Sequence, residues 1–436
     1  MRIEMTGLVV MTLMLVPAAV ALAAEPKKAD DFPLTDAQEC RARGGCPNFF
    51  AKLDAGKEVR IGYLGGSITA QDGWRPKTLK WFQDQYPKAK VSEINASIGG
   101  TGSDLGVYRL EHDVLRHKPD LLFVEFAVND GGTAPDQILR SMEGIVRQTW
   151  KADPNTDICF VYTFVAGWAK ELQDGKFPRA ASVMEKLADF YGIPSIHMGL
   201  EAARMAKDGK VVLAAKKPKT DEEKKALEGK ILFSEDGVHP FPETGHELYL
   251  AAVVRSMPAI KAATQPHPHG VGKSFVRDPW DNAKFVPLEK AKLGEGWEKL
   301  PPDNHLVKAF GNRLGDLWHT AKPGTTVTFK FKGTAAAIYD LLGPDCGQVI
   351  VTLDDQPPRT VPRFDRYCNY HRLATLWIGG PLPDAVHTVK LELHADPPDK
   401  AKFLKEGDLK NENPDDPKYK GISWYAGGIL VVGDVE

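Results

Sequence analysis

The chain has 436 residues, more than one domain usually needs, so two domains are the first expectation. Its composition, 42% hydrophobic and 26% charged, is typical of a globular protein. With 56 basic and 58 acidic residues the formal net charge is −2, which argues against nucleic acid or an anionic membrane as the main partner.

The first 23 residues are typical of a secretory signal peptide. Arg2 is followed by an apolar run from about Leu8 to Leu22, and Ala21-Leu22-Ala23 offers a small-x-small cleavage site. The alternative is an uncleaved anchor helix, but the run is short for a membrane span and ends in alanines. We therefore expect a secreted or periplasmic protein in which residues 24–57 form an N-terminal extension.

From residue 58 to 258 strand-like and helix-like segments alternate. The predicted strands are Val59–Leu64, Val91–Ala96, Asp120–Val128, Ile158–Phe164 and Ile193–His197. Apolar residues at helical spacing lie between them, and Pro242 is expected to open a last helix. This alternation predicts right-handed βαβ units, a parallel sheet and a three-layer α/β/α sandwich.

The rest of the chain reads differently. Residues 206–230 are dominated by charge and predict a solvated excursion, and residues 259–305 predict a connector with little regular structure. Residues 306–436 contain several short strand patterns, including Thr325–Phe331 and Ala335–Tyr339. They predict a second domain built as a β-sandwich or jelly roll.

The five cysteines suggest a partial disulfide framework if the protein is exported. Proximity in sequence suggests the pairs Cys40–Cys46 and Cys346–Cys368, whereas Cys159 lies in an apolar run and predicts a buried free thiol. No spacing of cysteines or histidines predicts a metal site. His267 and His269 are closest to one, but their Pro/Gly-rich surroundings favour a plain linker.

Three of the predicted strands are each followed by a segment whose residues could bind a ligand or take part in a reaction. Ser67 follows the first strand and the glycine pair Gly65-Gly66, Gly100 follows the second strand, and Asn129 follows the third. The carboxyl ends of parallel strands share one sheet edge, so these residues are expected to converge. The backbone N–H groups of Ser67 and Gly100 and the side chain of Asn129 could then bind a tetrahedral oxyanion.

A serine hydroxyl is a weak nucleophile and needs a base. Asp236 and His239 lie three residues apart, just before the last predicted helix. That spacing would allow the carboxylate to reach one imidazole nitrogen while the other nitrogen faces Ser67. The sequence thus predicts a nucleophile, a base and an orienting acid at one site.

Taken together, these segments resemble the four blocks of the SGNH (GDSL-like) hydrolase superfamily. The matching stretches are Gly65–Thr69, Asn95–Gly100, Val128–Asp130 and Asp236–His239, within residues 58–258. The resemblance implies a flavodoxin-like sandwich and ester hydrolysis without a cofactor or metal. It also implies roles for particular residues: a catalytic triad of Ser67, Asp236 and His239, and oxyanion donors at Ser67, Gly100 and Asn129.

Two positions depart from the family pattern: Gly66 stands where Asp is frequent, and Ala127 where Gly is frequent. Each motif alone has an ordinary structural explanation, such as a turn, and it is the ordered set that favours an esterase site. A phosphate-binding loop is disfavoured because its lysine is missing, and the Gly-x-Ser-x-Gly elbow of another hydrolase fold is not formed around Ser67.

Several further residues remain open. His197 could line the cleft or be a hydrogen-bonded structural histidine, and Asp130 could orient the oxyanion loop or close a turn. Trp74 and Trp168 could stack on a sugar or pack in the core. The same alternative holds for three tryptophans of the second domain: Trp318, Trp377 and Trp424.

The resulting hypothesis is an exported serine esterase that removes acetyl or other small acyl groups from a carbohydrate through an acyl-Ser67 intermediate. One alternative is a lipid esterase or thioesterase acting on longer acyl chains. Another is a non-catalytic glycan-binding protein on a hydrolase scaffold. Chain-length preference and a serine variant discriminate among these.

Overall fold

The computed structural model describes residues 32–405 and 412–436. The signal peptide predicted at residues 1–23 lies outside this range. Of the helices in the two described stretches, none has the length and apolarity needed to cross a bilayer.

The N-terminal half is built on a six-stranded sheet with the order β1-β6-β5-β4-β2-β3. Strands β2 to β6 run parallel, and the short β1 adds antiparallel to β6 at the edge. The strands are β1 (Cys40–Arg41), β2 (Glu58–Gly65), β3 (Lys90–Asn95), β4 (Leu121–Glu125), β5 (Asp157–Tyr162) and β6 (Ser195–His197). The predicted parallel α/β architecture is confirmed.

Helices follow the strands, and all but the one at Asp221–Ala226 contain buried residues. They are α1 (Pro47–Asp54), α2 (Ser67–Ala70), α3 (Trp74–Gln85), α4 (Ser103–Gly106), α5 (Leu110–Asp113), α6 (Pro135–Ala152), α7 (Ala169–Gln173), α8 (Arg179–Tyr191), α9 (Leu200–Lys207), α10 (Asp221–Ala226) and α11 (Gly245–Ala262). In α6, Ile138, Met142 and Ile145 recur at helical spacing and are buried. The last helix of this unit begins at Gly245 rather than at Pro242, because residues 242–244 form a turn.

Residues 32–57, the described part of the predicted extension 24–57, contribute to the α/β unit as well. Strand β1 extends the sheet, and α1 buries Phe49, Phe50 and Leu53 in the main core. The charged excursion carries a small parallel pair, β7 (Val211–Val212) and β8 (Ile231–Leu232), around α10. No residue of α10 is buried, as expected for a solvated excursion.

The C-terminal part is a ten-stranded antiparallel sheet. Its strands are β9 (Ala283–Pro287), β10 (Lys292–Leu293), β11 (Glu298–Lys299), β12 (Trp318–Thr320), β13 (Thr326–Leu342), β14 (Gln348–Leu353), β15 (Arg359–Pro362), β16 (Arg372–Gly379), β17 (Ala385–Leu393) and β18 (Trp424–Val435). Two helices accompany it, α12 (His305–Leu314) and α13 (Lys400–Leu404). Segment 259–305, expected to be largely irregular, thus supplies three of the strands.

Strand β13 is continuous, although the sequence predicts two separate strands, Thr325–Phe331 and Ala335–Tyr339, in this part of the chain. Its first part pairs with β17 up to Gly333, and its second part pairs with β16 from Ala336. The register shifts between Gly333 and Ala335, where a Cβ on Gly333 would lie 2.0 Å from the Val432 carbonyl oxygen. The glycine interrupts the alternation of side chains without ending the strand, so the predicted break is a bulge.

Beyond this bulge, β13 and β18 bury both faces. Ala336 and Ile338 point into the core of the C-terminal sheet, whereas Ala337 and Tyr339 belong to the main core shared with the α/β unit. In β18, Leu430 and Val432 likewise join the main core. The two halves are therefore packed through a continuous apolar interface.

Trp280 lies at the centre of this interface. Its ring packs on Tyr108 at a centroid distance of 5.6 Å and on Trp377 at 6.1 Å. A Cβ at Gly144 of α6 would lie 2.5 Å from the Trp280 carbonyl oxygen, so the connector backbone touches the helix. Arg147 and Gln148 of α6 also donate hydrogen bonds to this connector. The connector around Trp280 therefore contacts both halves and holds them together.

The cysteines do not pair. Cys46, Cys159, Cys346 and Cys368 are buried free thiols, and Cys40 is a half-buried one. The suggested pairs Cys40–Cys46 and Cys346–Cys368 are therefore not present in the structure, and the prediction for Cys159 holds. Closeness in sequence does not fix side-chain direction, which a disulfide requires.

We expect Trp280→Ala to lower the free energy of unfolding by about 3–5 kcal/mol, because it opens a cavity between the two halves. Urea unfolding followed by circular dichroism measures this change. Tyr370→Ala is the control, since Tyr370 is 60% exposed and its removal should change stability by less than about 0.5 kcal/mol. Equal effects of the two substitutions would contradict the role of Trp280.

Candidate active site

Ser67 is the first residue of α2, immediately beyond the end of β2 and Gly66. The loop that follows β3 passes above it: Ile98 N donates to Gly65 O at 3.0 Å, and a Cβ on Gly99 would lie 3.6 Å from Ser67 Cβ. Ser67 is only partly buried. Its hydroxyl is thus held at the carboxyl edge of the sheet, where ligands bind in open α/β folds.

His239 lies beside this serine, although 172 residues separate the two in sequence. His239 Nε2 is 2.8 Å from Ser67 Oγ, and His239 Nδ1 is 2.6 Å from Asp236 Oδ2. The structure therefore brings together all three residues for which the sequence predicts nucleophile, base and acid. The order carboxylate, imidazole, hydroxyl is the geometry of a Ser-His-Asp triad.

A tight turn orients Asp236. Its Oδ1 accepts the backbone N–H groups of Val238 and His239, both at 2.8 Å. Gly237 adopts a φ of +78°, and its carbonyl accepts a hydrogen bond from Ala166 N at 2.7 Å. The hydrogen bond from Ala166 N to Gly237 O joins the loop that carries His239 to the loop that follows β5.

The hydrogen bonds of this turn also set the charge of the acid. Partial burial tends to raise the pKa of Asp236, but hydrogen bonds from the His239 ring and from two backbone N–H groups outweigh it and lower the pKa. The carboxylate therefore stays ionised at neutral pH. In that state it can hold the imidazole orientation and stabilise an imidazolium.

Asn129 and Gly66 fit each other closely. Asn129 begins a short 3-10 helix just after β4. A Cβ on Gly66 would lie 1.9 Å from Asn129 Oδ1 and 2.8 Å from Asn129 Cγ. Any side chain at position 66 would displace the amide, which gives a local reason for glycine where the family often has Asp.

Gly100 lies in the loop between β3 and α4 with a φ of +72°. Apart from its chain neighbours, no atom of the described residues lies within 4 Å of where its Cβ would be, so backbone conformation rather than space calls for glycine here. The adjacent Gly99 is the residue that packs on Ser67. The three predicted oxyanion donors thus lie on neighbouring loops, as expected for strands in the order β4-β2-β3.

Glu125, which the sequence analysis missed, lies behind the short helix that Ser67 begins. Its side chain is only 1% exposed at the end of β4. Oε2 accepts a hydrogen bond from Thr69 at 2.8 Å, and Oε1 accepts one from Thr163 at 2.6 Å. Burial raises the pKa of Glu125. A charged residue inside the apolar Asp120–Val128 run was the available signal.

Three other candidate residues, Trp74, His197 and Trp168, are packed against neighbouring residues. Trp74 is fully buried and donates a hydrogen bond to Thr69. His197 is buried and stacks on Phe177, and burial lowers its pKa to about 3. Its ring nitrogens have no partner in the described part of the chain, so it is not the hydrogen-bonded histidine expected. Trp168 is half-buried, and its ring lies against Gly131.

The tryptophans of the C-terminal half also differ in exposure. Trp424 is buried, packs against Trp297 and donates to Asp340, so it is a core residue. Trp377 is half-buried against Trp280, and Trp318 is half-buried on β12. Packing therefore explains Trp424 fully and Trp377 in large part.

The segment of His267 and His269 attaches the connector to the α/β unit. His269 Nε2 lies 2.7 Å from Asp157 Oδ1, and its ring stacks on Trp150 at 4.7 Å. Within residues 32–405 and 412–436, the only triplet of possible metal ligands is Asp345, Cys346 and His371, in the C-terminal half. There His371 Nε2 lies 2.7 Å from Asp345 Oδ1, within hydrogen-bonding distance.

We expect Glu125→Ala to lower the free energy of unfolding by about 2–4 kcal/mol, because it removes both acceptors for the buried threonine hydroxyls and leaves a cavity. Glu125→Gln keeps the volume and one acceptor oxygen, so its cost should be about 1 kcal/mol. Urea unfolding of the two variants distinguishes them. Equal losses would mean that the charge, rather than the hydrogen bonds, stabilises the site.

Comparison with known proteins now adds to this geometry. Residues 63–243 match the model of the GDSL-like Lipase/Acylhydrolase family. A crystal structure of a two-domain esterase (CEX) active on acetylated mannans, co-crystallised with mannopentaose, is similar with a TM-score of 0.68 and 17% identity. The match covers 93% of this chain and 98% of that chain.

A second crystal structure of such an esterase gives a TM-score of 0.69 and 18% identity, covering 93% of this chain and 99% of that one. At these identities the likeness establishes the two-domain fold. No curated protein sequence matches the chain. Residues 63–243 hold every motif described above, and this part of the chain is a domain of the GDSL-like lipase/acylhydrolase family.

Proposed function

We propose that this protein is a serine esterase that removes acetyl or other small acyl groups from a carbohydrate or polysaccharide through an acyl-Ser67 intermediate. The observation that carries the proposal is the continuous chain from Asp236 through His239 to Ser67, with contacts of 2.6 and 2.8 Å. The family of the domain supports ester hydrolysis as the reaction class.

The reaction begins when His239 Nε2 takes the Ser67 hydroxyl proton as Oγ attacks the ester carbonyl carbon. Asp236, whose pKa is lowered, stabilises the imidazolium that forms. As the tetrahedral intermediate collapses, the bond between the acyl carbon and the sugar oxygen breaks. His239 returns the proton to that oxygen, and acetyl-Ser67 remains.

In the second half of the reaction, His239 takes a proton from water and the hydroxide attacks the acetyl carbon. Collapse breaks the bond between the acetyl carbon and Ser67 Oγ, and His239 gives its proton to that oxygen. The product leaves as acetic acid, which ionises to acetate in solvent. In both halves, negative charge on the carbonyl oxygen is stabilised by Ser67 N, Gly100 N and the Asn129 side chain. Neither half calls for a metal ion or an organic cofactor.

The carbohydrate part of the proposal has separate support. The two solved structures that share the two-domain fold are described as esterases active on acetylated mannans. The leader-like sequence at residues 1–23 supports export, which would place the enzyme with extracellular polysaccharides. Acetylated mannan is therefore the first polysaccharide to test.

We expect wild-type protein to hydrolyse a chromogenic acetyl ester faster than its butanoyl and octanoyl homologues, and Ser67→Ala to lose at least about 10³-fold in kcat. Absorbance of the released phenolate measures the rate. Ser92→Ala is the control, since Ser92 lies on β3 with only a long 3.4 Å hydrogen bond to Val59 O. It should retain wild-type activity.

Each of the other outcomes would point to a different function or mechanism. A preference for octanoyl esters would move the function to lipids or thioesters. Full activity in Ser67→Ala would reject the acyl-serine mechanism. A folded wild-type protein that hydrolyses no ester but binds mannan would favour a glycan-binding role.

A second test uses the contact between Gly66 and Asn129. We expect Asn129→Ala to lower kcat about 10²–10³-fold by removing one oxyanion donor. Gly66→Ala should cause a loss of similar size, because its Cβ would displace the same amide. The double variant should be no slower than Asn129→Ala alone, since alanine at 129 leaves room for the new methyl group.

This double-mutant cycle separates the two explanations of a Gly66 defect. Multiplied losses in the double variant would show that Gly66→Ala acts on Ser67 or the backbone rather than through Asn129. Circular dichroism melting of each variant controls for loss of folded protein.

A further inference from the structure

Asp130 follows the proposed oxyanion donor Asn129 and is almost entirely buried, at 1% exposure. Its Oδ1 accepts a hydrogen bond from the backbone N–H of Ser103 at 3.1 Å. Its Oδ2 is buried and has no hydrogen-bond partner within the described residues. A turn-forming aspartate normally lies at the surface, so a half-satisfied buried one needs another explanation.

The contact of Asp130 links two loops. Asp130 belongs to the 3-10 helix after β4, whereas Ser103 opens α4 at the end of the loop after β3. A Cβ on Gly102 would lie only 2.3 Å from Asp130 Oδ1, so the carboxylate is seated directly on the backbone two residues beyond Gly100. These two loops carry Asn129 and Gly100, both proposed oxyanion donors.

Each loop has a further anchor. Arg179 donates to Gly131 O at 2.5 Å, which fixes the Asn129 loop from α8. Ser103 Oγ lies 2.6 Å from Ser141 Oγ, which ties the start of α4 to α6. Among the hydrogen bonds of the described residues, the bond from Ser103 N to Asp130 joins the two loops to each other.

This arrangement is unfavourable for stability. Burial raises the pKa of Asp130 to about 7, and the nearby charges of Asp104 and Glu125 add to the effect, while hydrogen bonding from Ser103 opposes it. A buried carboxyl group with one unpartnered oxygen destabilises the fold. Such groups occur where a site requires a fixed geometry at the expense of stability.

We propose that Asp130 is a positioning residue of the oxyanion hole, which holds the Gly100 loop at a fixed distance from Asn129 through its hydrogen bond to Ser103 N. The inference rests on the proposed esterase function. Asp130 touches neither Ser67 nor His239 in this account and acts only through the two donors. Displacing a donor by about 1 Å is enough to lose much of its contribution to the rate.

Three variants test the proposal. Asp130→Ala removes the acceptor and should lower kcat for an acetyl ester about tenfold to hundredfold, with KM changed less than about twofold. Asp130→Asn retains an oxygen that can accept the Ser103 N–H, so it should recover most of the activity. Gly102→Ala keeps the carboxylate but forces the loops apart, and should match Asp130→Ala.

Ser141→Ala is the matched control, because it removes the side-chain bond to Ser103 and leaves the backbone bond to Asp130 in place. It should stay within about twofold of wild type in kcat. All rates are expressed per active site titrated with a phosphonate ester, so that partial unfolding does not count as a catalytic loss.

Two further measurements exclude a merely structural role. An arylboronic acid forms a tetrahedral adduct with Ser67, and its affinity should fall in Asp130→Ala by the same factor as kcat, whereas the affinity for product acetate should not change. Amide hydrogen exchange of residues 98–103 should accelerate in Asp130→Ala and Gly102→Ala but not in Ser141→Ala. Exchange reports on the loop without requiring activity.

The outcomes separate the inference from the function on which it rests. Unchanged kcat per titrated site and unchanged exchange in Asp130→Ala would overturn the inference while the esterase stands. Asp130→Asn as slow as Asp130→Ala would also overturn it, because charge and not the hydrogen bond would then matter. If wild-type protein hydrolyses no ester while exchange follows the prediction, the esterase function fails and the loop anchor remains.

Discussion

Parallel pairing in the order β4-β2-β3 is the constraint on which the candidate site depends. Parallel strands end at one sheet edge, and this order places the loop of Ser67 between the loops of Gly100 and Asn129. No direct bond among these three residues is needed to bring them together. The one long-range contact that must be added is the 2.8 Å approach of His239 to Ser67, supplied by a loop fastened to the end of β5.

The buried carboxylates show how this edge is stabilised. Glu125 and Asp130 are five residues apart, yet they bond in different directions: Glu125 to Thr69 and Thr163, Asp130 to Ser103. Glu125 holds the helix of Ser67 against β4 and the loop after β5, and Asp130 joins the loops of Gly100 and Asn129. Both pay the desolvation cost of a buried acid, seen as raised pKa values. The site is thus one of the places where this fold departs from an apolar core.

Much of this arrangement is predictable from sequence because it depends on local patterns. Ser67, Gly100 and Asn129 each follow a predicted strand, and Asp236 and His239 share one turn. Glu125 was not predictable, because its partners Thr69 and Thr163 are distant in sequence and the charge interrupts an apolar run only once. The continuity of β13 was missed for a related reason: Gly333 reads as a strand end, and only its contact with Val432 shows that it is a bulge.

Asn129 explains why glycine stands at position 66, where the family often has Asp. An aspartate at position 66 would need space that the Asn129 amide occupies, since even a Cβ there would lie 1.9 Å from Oδ1. Asn129 in turn begins the 3-10 helix that Arg179 and Asp130 anchor, so it cannot withdraw freely. Gly66 and Asn129 are therefore best understood as one unit.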